Sequence, residues 1–176
     1  MRDDSACSGN GCIVTPDEYI YSVAERLRAA GAEVGNEDLP SGVGLVGRRC
    51  QFRIRWLATK LNMFVVVRAT ETATPAELLR HANEALDYAV GQKGRFRGLQ
   101  NGVAAIPVLV APVVEPGAIE VATGQLIRRW AAFAWPTLVD CTSGRVYRHE
   151  GQVTIGGLYA KWMRQQIAET FPEPAL

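Results

Sequence analysis

The sequence predicts an α/β fold: one mixed sheet with helices packed on it, in a single domain. Two segments with apolar residues at helical spacing follow threonine-proline caps at Thr15 and Thr74. Apolar runs that are too short to cross a membrane lie between and after these segments, as expected of buried strands. Because 176 residues suffice for one hydrophobic core, we expect the domain to cover residues 15–172, after a flexible N-terminal tail at 1–14.

Capping residues define the first two helices. A threonine N-cap, a proline at the first helical position and a glutamate three residues after the cap occur at Thr15-Pro16-Asp17-Glu18 and again at Thr74-Pro75-Ala76-Glu77. The first helix is predicted to end near Gly31, because glycine readily adopts the left-handed backbone that stops a helix. The second helix is predicted to end near Gly91.

Two strands are predicted between these helices, after a polar loop over residues 35–42. From Cys50 to Trp56 the side chains alternate, which is typical of a strand with one buried face. The side chains predicted to be buried are Cys50, Phe52, Ile54 and Trp56, and those predicted to face outward are Arg49, Gln51, Arg53 and Arg55. The run Leu61–Ala69 is apolar on both faces, as in an interior strand, and we expect the two strands to form a hairpin.

The second half of the domain begins with the apolar strand Val103–Val113. This strand should lie parallel to Leu61–Ala69 in a right-handed βαβ unit. A short helix over Pro116–Thr123 follows, then a hairpin that joins Thr137–Cys141 to Arg145–His149, then a last helix. The predicted element order is α-β-β-α-β-(α)-β-β-α.

Charge is distributed unevenly along the chain, although the net charge is only +1. Residues 1–47 carry a net charge of −5, residues 48–100 carry +6, and residues 101–176 carry none. The asymmetry indicates either a basic surface that attracts anions or internal compensation, in which the acidic N-terminal helix covers the basic strands.

Two basic segments in the middle of the chain are the candidate ligand-binding sites. The loop over 91–102 holds four glycines among three cations and one aromatic residue, so its backbone amides could approach a phosphate closely. The alternative for this loop is a solvated connection. The outward arginines of the first strand are the second candidate, and their alternative role is to protect a sheet edge. The candidate binding residues are Arg53, Arg55, Lys93, Arg95 and Arg97.

The second hairpin carries a polar cluster that could support hydrolysis. Its members are Asp140, Tyr147 and His149. A turn at Ser143-Gly144 would pair Cys141 with Val146 and His149 with Leu138, which places the cluster on one face. The same register separates Cys141 from His149 by about 10 Å on opposite faces, so we expect no Cys–His dyad. The alternative is an exposed hairpin face that carries no chemistry.

The sequence predicts no metal site and no cofactor. Cys7 and Cys12 form one loose pair, whereas a structural zinc site usually has two tight pairs. Cys50 is interpreted as a small apolar residue on a buried strand face. The N-terminal segment contains no apolar stretch that could act as a secretory signal, so we expect a cytoplasmic protein with reduced cysteines and no membrane partner.

The order helix, hairpin, helix, strand over residues 16–113 resembles the core of the restriction-endonuclease-like PD-(D/E)xK fold. In that family, an aspartate and an acid-x-lysine motif on two core strands hold the Mg²⁺ that activates water. The corresponding strands here, over 50–56 and 64–69, contain no carboxylate, and Glu71 follows only after the second strand. The resemblance therefore implies a nuclease-like fold without nuclease chemistry. Segments that are also similar to uncharacterised actinobacterial and haloarchaeal proteins are 56–61, 97–102 and 135–140.

Together these observations predict a non-catalytic domain that binds a partner, either a protein or an anionic ligand. The chain has more large aromatic residues than one small core must bury, which favours a protein partner or a homo-oligomer. These residues are Trp130, Phe133, Trp135 and Trp162. A catalytically inactive nuclease-like domain that binds nucleic acid is the first alternative. An unrecognised hydrolase that uses Asp140 and His149 is the second.

Overall fold

A mixed β-sheet between two layers of helices forms the described part of the chain. The computed structural model describes residues 14–53, 59–93, 101–124, 126–151 and 157–174. The helices are α1 (Pro16–Ala29), α2 (Pro75–Lys93), α3 (Pro116–Thr123) and α4 (Gly157–Thr170). The strands are β1 (Glu33–Leu39), β2 (Gly42–Arg53), β3 (Thr59–Ala69), β4 (Thr72–Ala73), β5 (Asn101–Ala111), β6 (Val113–Val114), β7 (Ile127–Arg129), β8 (Ala132–Ala134), β9 (Thr137–Asp140) and β10 (Arg145–Arg148). The predicted α/β class is confirmed, and the predicted tail lies, but for residue 14, outside the described residues.

Strand pairing gives the main sheet the order β1-β2-β3-β5-β8-β7. β1, β2 and β3 form an antiparallel meander, and β5 lies parallel to β3, which confirms the predicted hairpin and the predicted parallel pair. β8 and β9 both pair with β5, one after the other along its length, and β10 pairs with β9. β4 and β6 form a separate two-stranded sheet.

The core lies on both faces of β3 and β5. The first face packs against α1 and α4, with Leu27 and Ile167 among the buried helix residues. The second face packs against α2 and α3, with Leu86 and Ala118 buried there. Both strands are therefore covered on both sides, as their continuous apolar sequences predict. Within the described ranges, no helix is long and apolar enough to span a bilayer.

The predicted caps form as expected. Glu18 N donates to Thr15 Oγ1 at 3.3 Å, and Glu18 Oε2 accepts from Thr15 N at 2.9 Å, which completes the capping box of α1. At the start of α2, Glu77 N donates to Thr74 Oγ1 at 3.2 Å. Gly31 follows α1 with a φ of 77°, the left-handed conformation expected at a helix end.

The predicted polar loop at 35–42 is wrong. Residues 33–39 form β1 and β2 begins at Gly42, well before the predicted strand. β1 is the edge strand of the sheet, and its sequence is polar because only Leu39 of its seven side chains is buried. A polar edge strand lacks the apolar signal by which a strand is recognised in sequence.

The predicted burial of Cys50 is also wrong. Cys50 is exposed, whereas Arg49, which was expected to face outward, donates from Nη1 to Gln166 Oε1 of α4 at 2.6 Å. Gly47, on the same side of β2 as Arg49, packs against Leu27 of α1. Around Cys50, the described part of β2 is therefore better covered on the face that carries Gly47 and Arg49.

The register of the second hairpin differs from the prediction by two residues. Asp140 pairs with Arg145 and Leu138 pairs with Tyr147, so the turn spans residues 141–144. The carboxylate Oδ1 of Asp140 accepts hydrogen bonds from the backbone N–H groups of Thr142 and Ser143, both at 2.9 Å. These bonds fix the start of the turn at residue 141. The turn therefore has four residues, and not the two that were predicted.

His81 on α2 makes the stability of the fold depend on pH. The side chain is fully buried, and Nε2 donates to the carbonyl oxygen of Val66 at 3.0 Å. Burial lowers the pKa of His81 from 6.5 to about 4, because the charged form loses its hydration. Between pH 6.5 and 4 the unfolded chain therefore binds a proton at His81, whereas the folded chain does not bind it. Stability is fully present above pH 6.5 and falls as the pH drops toward 4.

We expect this group to remove on the order of 3 kcal/mol of unfolding free energy across that window. Urea unfolding at several pH values should show the decline, and His81→Leu should show a shallower one because no proton is taken up at this position. Gly35→Ala, which changes no titrating group, should keep the wild-type slope. An unchanged slope in His81→Leu would contradict the assignment.

Gly47 allows α1 to lie directly on β2. A Cβ atom at this position would lie 2.8 Å from Cδ1 of Leu27, which is closer than two carbon atoms can approach. Gly47→Ala should therefore lower the unfolding free energy by about 1–3 kcal/mol. Gly35→Ala is the matched control, because a Cβ there meets nothing within 4 Å. Equal urea midpoints for the two variants would show that α1 does not pack as described.

Candidate functional site

The ends of four strands meet at one end of the sheet. Arg53 of β2 pairs with Thr59 of β3, Lys60 of β3 pairs with Asn101 of β5, and β8 begins beside Val103 of β5. β3, β5 and β8 are parallel, so their N-terminal ends lie at the same end of the sheet as the C-terminal end of β2. We call this region the basic end; its described members are Arg48, Arg49, Lys60, Arg128 and Trp130.

Of the five binding residues predicted from the sequence, the structure describes the backbone of two. The backbones of Arg53 and Lys93 end β2 and α2, whereas their side chains lie outside the described residues, as do Arg55, Arg95 and Arg97. The strand ends that border the two basic segments, at Thr59 and Asn101, belong to adjacent strands. Gln92, beside Lys93, also lines a cleft with Asn62 of β3. The described borders of both segments therefore adjoin.

A cleft of about 500 Å³ opens at the basic end beside β2. It exists because β1 begins at Glu33, which pairs with Arg48, while β2 continues to Arg53. Among the described residues, no strand pairs with β2 beyond Arg48 on this side. The cleft wall therefore includes the side chains of Arg48, Arg49 and Cys50.

The two arginines of the cleft have different partners. Arg48 is hydrogen-bonded to the carboxylate of Glu37 and to the hydroxyl of Tyr88, and its guanidinium lies 5.5 Å from the centre of the Tyr88 ring. Its charge is thus partly balanced and its position fixed. Arg49 bonds to the neutral amide of Gln166, which orients the guanidinium but leaves its charge in place.

A hairpin of β7 and β8 presents Trp130 at its tip. Trp130 is 81% exposed, and the turn consists of Trp130 and Ala131 only. Arg129 holds the hairpin against α2 through Asp87 and through Asn83, whose Oδ1 accepts from Nη2 at 3.1 Å. Arg128 is exposed on β7, two residues before the tryptophan. The bonds from Arg129 therefore hold the tip of the hairpin against α2.

Sequence reasoning missed this hairpin. Its two strands contain three residues each, and its turn contains no glycine, asparagine or aspartate. The left-handed position of the turn is occupied by Ala131, with a φ of 52°. The only available signal was the adjacency of Arg128, Arg129 and Trp130 in a segment that shows no periodicity.

The predicted cluster of Asp140, Tyr147 and His149 is divided among separate contacts. Both carboxylate oxygens of Asp140 bind the turn that follows it. Tyr147 packs against α3. The imidazole Nδ1 of His149 lies 3.0 Å from the carbonyl oxygen of Thr123, which makes Nδ1 the donor, and its ring centre lies 6.1 Å from that of Trp135. Asp140 and His149 thus each have a structural hydrogen-bond partner.

The candidate nucleophiles and bases differ in accessibility. Cys141 is buried, and burial, with a smaller effect of Asp140, raises the pKa of its thiol to about 11. It is therefore a thiol at neutral pH and a poor nucleophile. His81 is buried in the core, and Cys50 is the exposed thiol of the described residues. Over these same ranges, no three His, Cys, Asp or Glu side chains are grouped as metal ligands.

Comparison with known proteins adds no relative to this description. No protein-family model, no curated protein and no solved structure matches the chain.

Proposed function

We propose that this chain is a non-catalytic binding domain and that the basic end of its sheet binds an anionic partner. The observation that carries the proposal is the presence, on β3 and β7, of two cations that have no ion-pair partner among the described residues. Lys60 and Arg128 are exposed, and neither side chain bonds to another described residue. Arg49 also keeps its charge, because its partner is a neutral amide.

Pairing with acidic side chains of the same chain accounts for several other cations but not for Lys60 and Arg128. Glu77, an acid of the basic middle segment, pairs with Arg68 at 3.1 Å and with Arg80 at 3.6 Å. Both pairs lie toward the opposite end of β3, near the start of α2. At the basic end, the carboxylate of Asp87 is engaged by Arg129. The Asp87 carboxylate is thus already occupied, which supports an external anion as the partner of Lys60 and Arg128.

The distribution of reactive groups supports a role without catalysis. β2 and β3 contain no aspartate or glutamate, so the central strands offer no carboxylate to a hydrolytic metal ion. Asp140 serves a turn, and Cys141 is a buried thiol. The hydrolase alternative based on Asp140 and His149 lacks the direct contact that a nucleophile and its base require.

A second candidate is a nuclease-like domain without its catalytic acids. The order α1, β2–β3, α2, β5 follows the helix, hairpin, helix, strand arrangement on which the resemblance to restriction endonucleases rests. In this interpretation the anionic partner is a nucleic acid, and the missing carboxylates explain why it is bound and not cut.

Charge reversal at the basic end tests the proposal. The double variant Lys60→Glu, Arg128→Glu should bind phosphocellulose at least about 10-fold more weakly than the wild type at about 50 mM salt, because counterion release scales with the number of contacting cations. The slope of log affinity against log salt should fall by about 2.

Arg80→Glu, Arg145→Glu is the matched control, since it changes the net charge equally with exposed arginines away from the basic end. This control should bind phosphocellulose nearly as tightly as the wild type. Equal losses in the two double variants, or no retention of the wild type at low salt, would overturn the proposal.

A further inference from the structure

We infer that the anionic partner is an acidic, extended segment of another protein, which adds to the sheet as a strand beside β2; this inference rests on the proposed function. The open edge of β2 pairs with the backbone of the segment, and Arg49 pairs with its carboxylates. What carries the inference is a single cleft that contains both the open strand edge and this arginine.

β2 has an unpaired edge at the cleft. The pairing of β1 with β2 stops at Glu33 and Arg48, whereas β2 continues for five more residues. A two-residue turn joins Leu39 to Gly42, so these two residues form a hydrogen-bonded pair. Every second residue of β2 after Gly42 therefore directs its N–H and C=O groups to the β1 side. Cys50 belongs to this set, and no described strand pairs with it on that side.

The sheet already contains a strand that pairs with two shorter strands placed end to end. β8 pairs with residues 103–105 of β5, and β9 pairs with the same strand from Val108 onward. A segment beside β2 would continue the line of β1 in the same way. Five residues of strand extend over about 17 Å. The cleft volume of about 500 Å³ is within the usual range for ligand-binding clefts.

The charge in the cleft favours an acidic segment. The guanidinium of Arg49 donates to Gln166 Oε1 at 2.6 Å, and no carboxylate of the described residues pairs with it. Gln166 Nε2 donates in turn to Glu169 at 3.2 Å, so the glutamine lies between the arginine and the carboxylate of α4. The guanidinium thus keeps N–H groups that a carboxylate of an incoming strand can accept from.

The two faces of β2 predict the pattern of the segment. Arg49 lies on the face that α4 covers, whereas Cys50 and Phe64 lie on the α2 face. Glu33, opposite Arg48, is also on the α2 face and disfavours further acids there. Because the side chains of a strand alternate, acidic residues directed at Arg49 should alternate with apolar residues on the α2 face.

Other occupants use only part of the cleft. A free phosphate or a nucleic acid would engage Arg49 but has no peptide groups to pair with the edge of β2. A second copy of this edge has peptide groups but would bring its own Arg48 and Arg49 into a cleft that already holds these cations. An acidic extended segment supplies both the backbone groups and the opposite charge.

Fluorescence polarisation with a labelled peptide of about seven residues, in which valine and glutamate alternate, tests the inference at about 50 mM salt. Cys50→Pro should weaken binding at least about 10-fold, because it removes an N–H from the open edge. The variant should stay folded, since that N–H has no partner within the sheet. Cys50→Ala, which keeps the N–H, should bind within about 3-fold of the wild type.

Arg49→Gln should also weaken binding of this peptide about 10-fold, because a charge-assisted hydrogen bond is lost. Arg145→Gln is the matched control, since Arg145 is exposed on β10, away from the cleft. Equal affinities of Arg49→Gln and Arg145→Gln would overturn the inference.

Modified peptides give a test that does not depend on the folding of a variant. A peptide with N-methyl groups on its central residues lacks the N–H groups that pair with β2, and one with lysine in place of glutamate lacks the acids. Each should bind at least about 10-fold more weakly than the parent peptide. If either binds like the parent, the inference is overturned. Should Cys50→Pro be unfolded, these peptides decide the question alone.

Phosphocellulose retention separates this inference from the proposed function. If the peptide does not bind, or binds Cys50→Pro like the wild type, while the wild type is retained on phosphocellulose, the strand inference is overturned and anion binding stands. If neither binding nor retention is seen, both are overturned. A dimer of the protein alone that Cys50→Pro dissociates would replace the acidic segment by a second copy. Peptide binding that Cys50→Pro abolishes, with phosphocellulose retention intact, supports both.

Discussion

The parallel pairing of β3 and β5 is the constraint on which the rest of the structure depends. The two strands pair from Lys60 with Asn101 to Ala69 with Val110, and both faces of the pair are buried. A parallel pair cannot close through a tight turn, so the chain must cross from one end of the sheet to the other through α2. The segments that precede β3 and β5 consequently arrive at the same end. The position of Lys60 at this end of the sheet is thus a consequence of topology.

The two ends of this strand pair use charge in opposite ways. At the C-terminal end of β3, Arg68 donates to the carbonyl oxygen of Ser41 at 2.8 Å and to Glu77 at 3.1 Å, and Thr70 donates to the same carboxylate. That network is largely shielded from solvent and satisfies its own charges. At the N-terminal end, Lys60 and Arg128 face solvent. Charges that are paired within the protein stabilise the fold, whereas exposed cations without such a partner can attract an external anion.

Apolar continuity explains how much of the structure could be predicted. The strand at Leu61–Ala69 and the helix at Pro116–Thr123 were found because burial on two faces and an N-terminal proline leave clear patterns in sequence. β1 was missed because an edge strand can be polar, and the β7–β8 hairpin because Ala131 supports a turn that no turn residue announces. The candidate surface was predicted only through its bordering segments. Trp130 joins it by way of a strand pairing between residues about thirty positions apart, which local pattern cannot reveal.

Edge protection, the alternative explanation for the arginines, does not account for the whole basic end. Charges that prevent sheets from associating are needed on edge strands, and the part of β2 beyond Arg48 qualifies among the described strands. β3 does not qualify, because it lies between β2 and β5, yet Lys60 is exposed at its end. An exposed indole such as that of Trp130 would increase association and not prevent it. The proposed anion-binding function accounts for an exposed cation at the end of an interior strand, which edge protection does not.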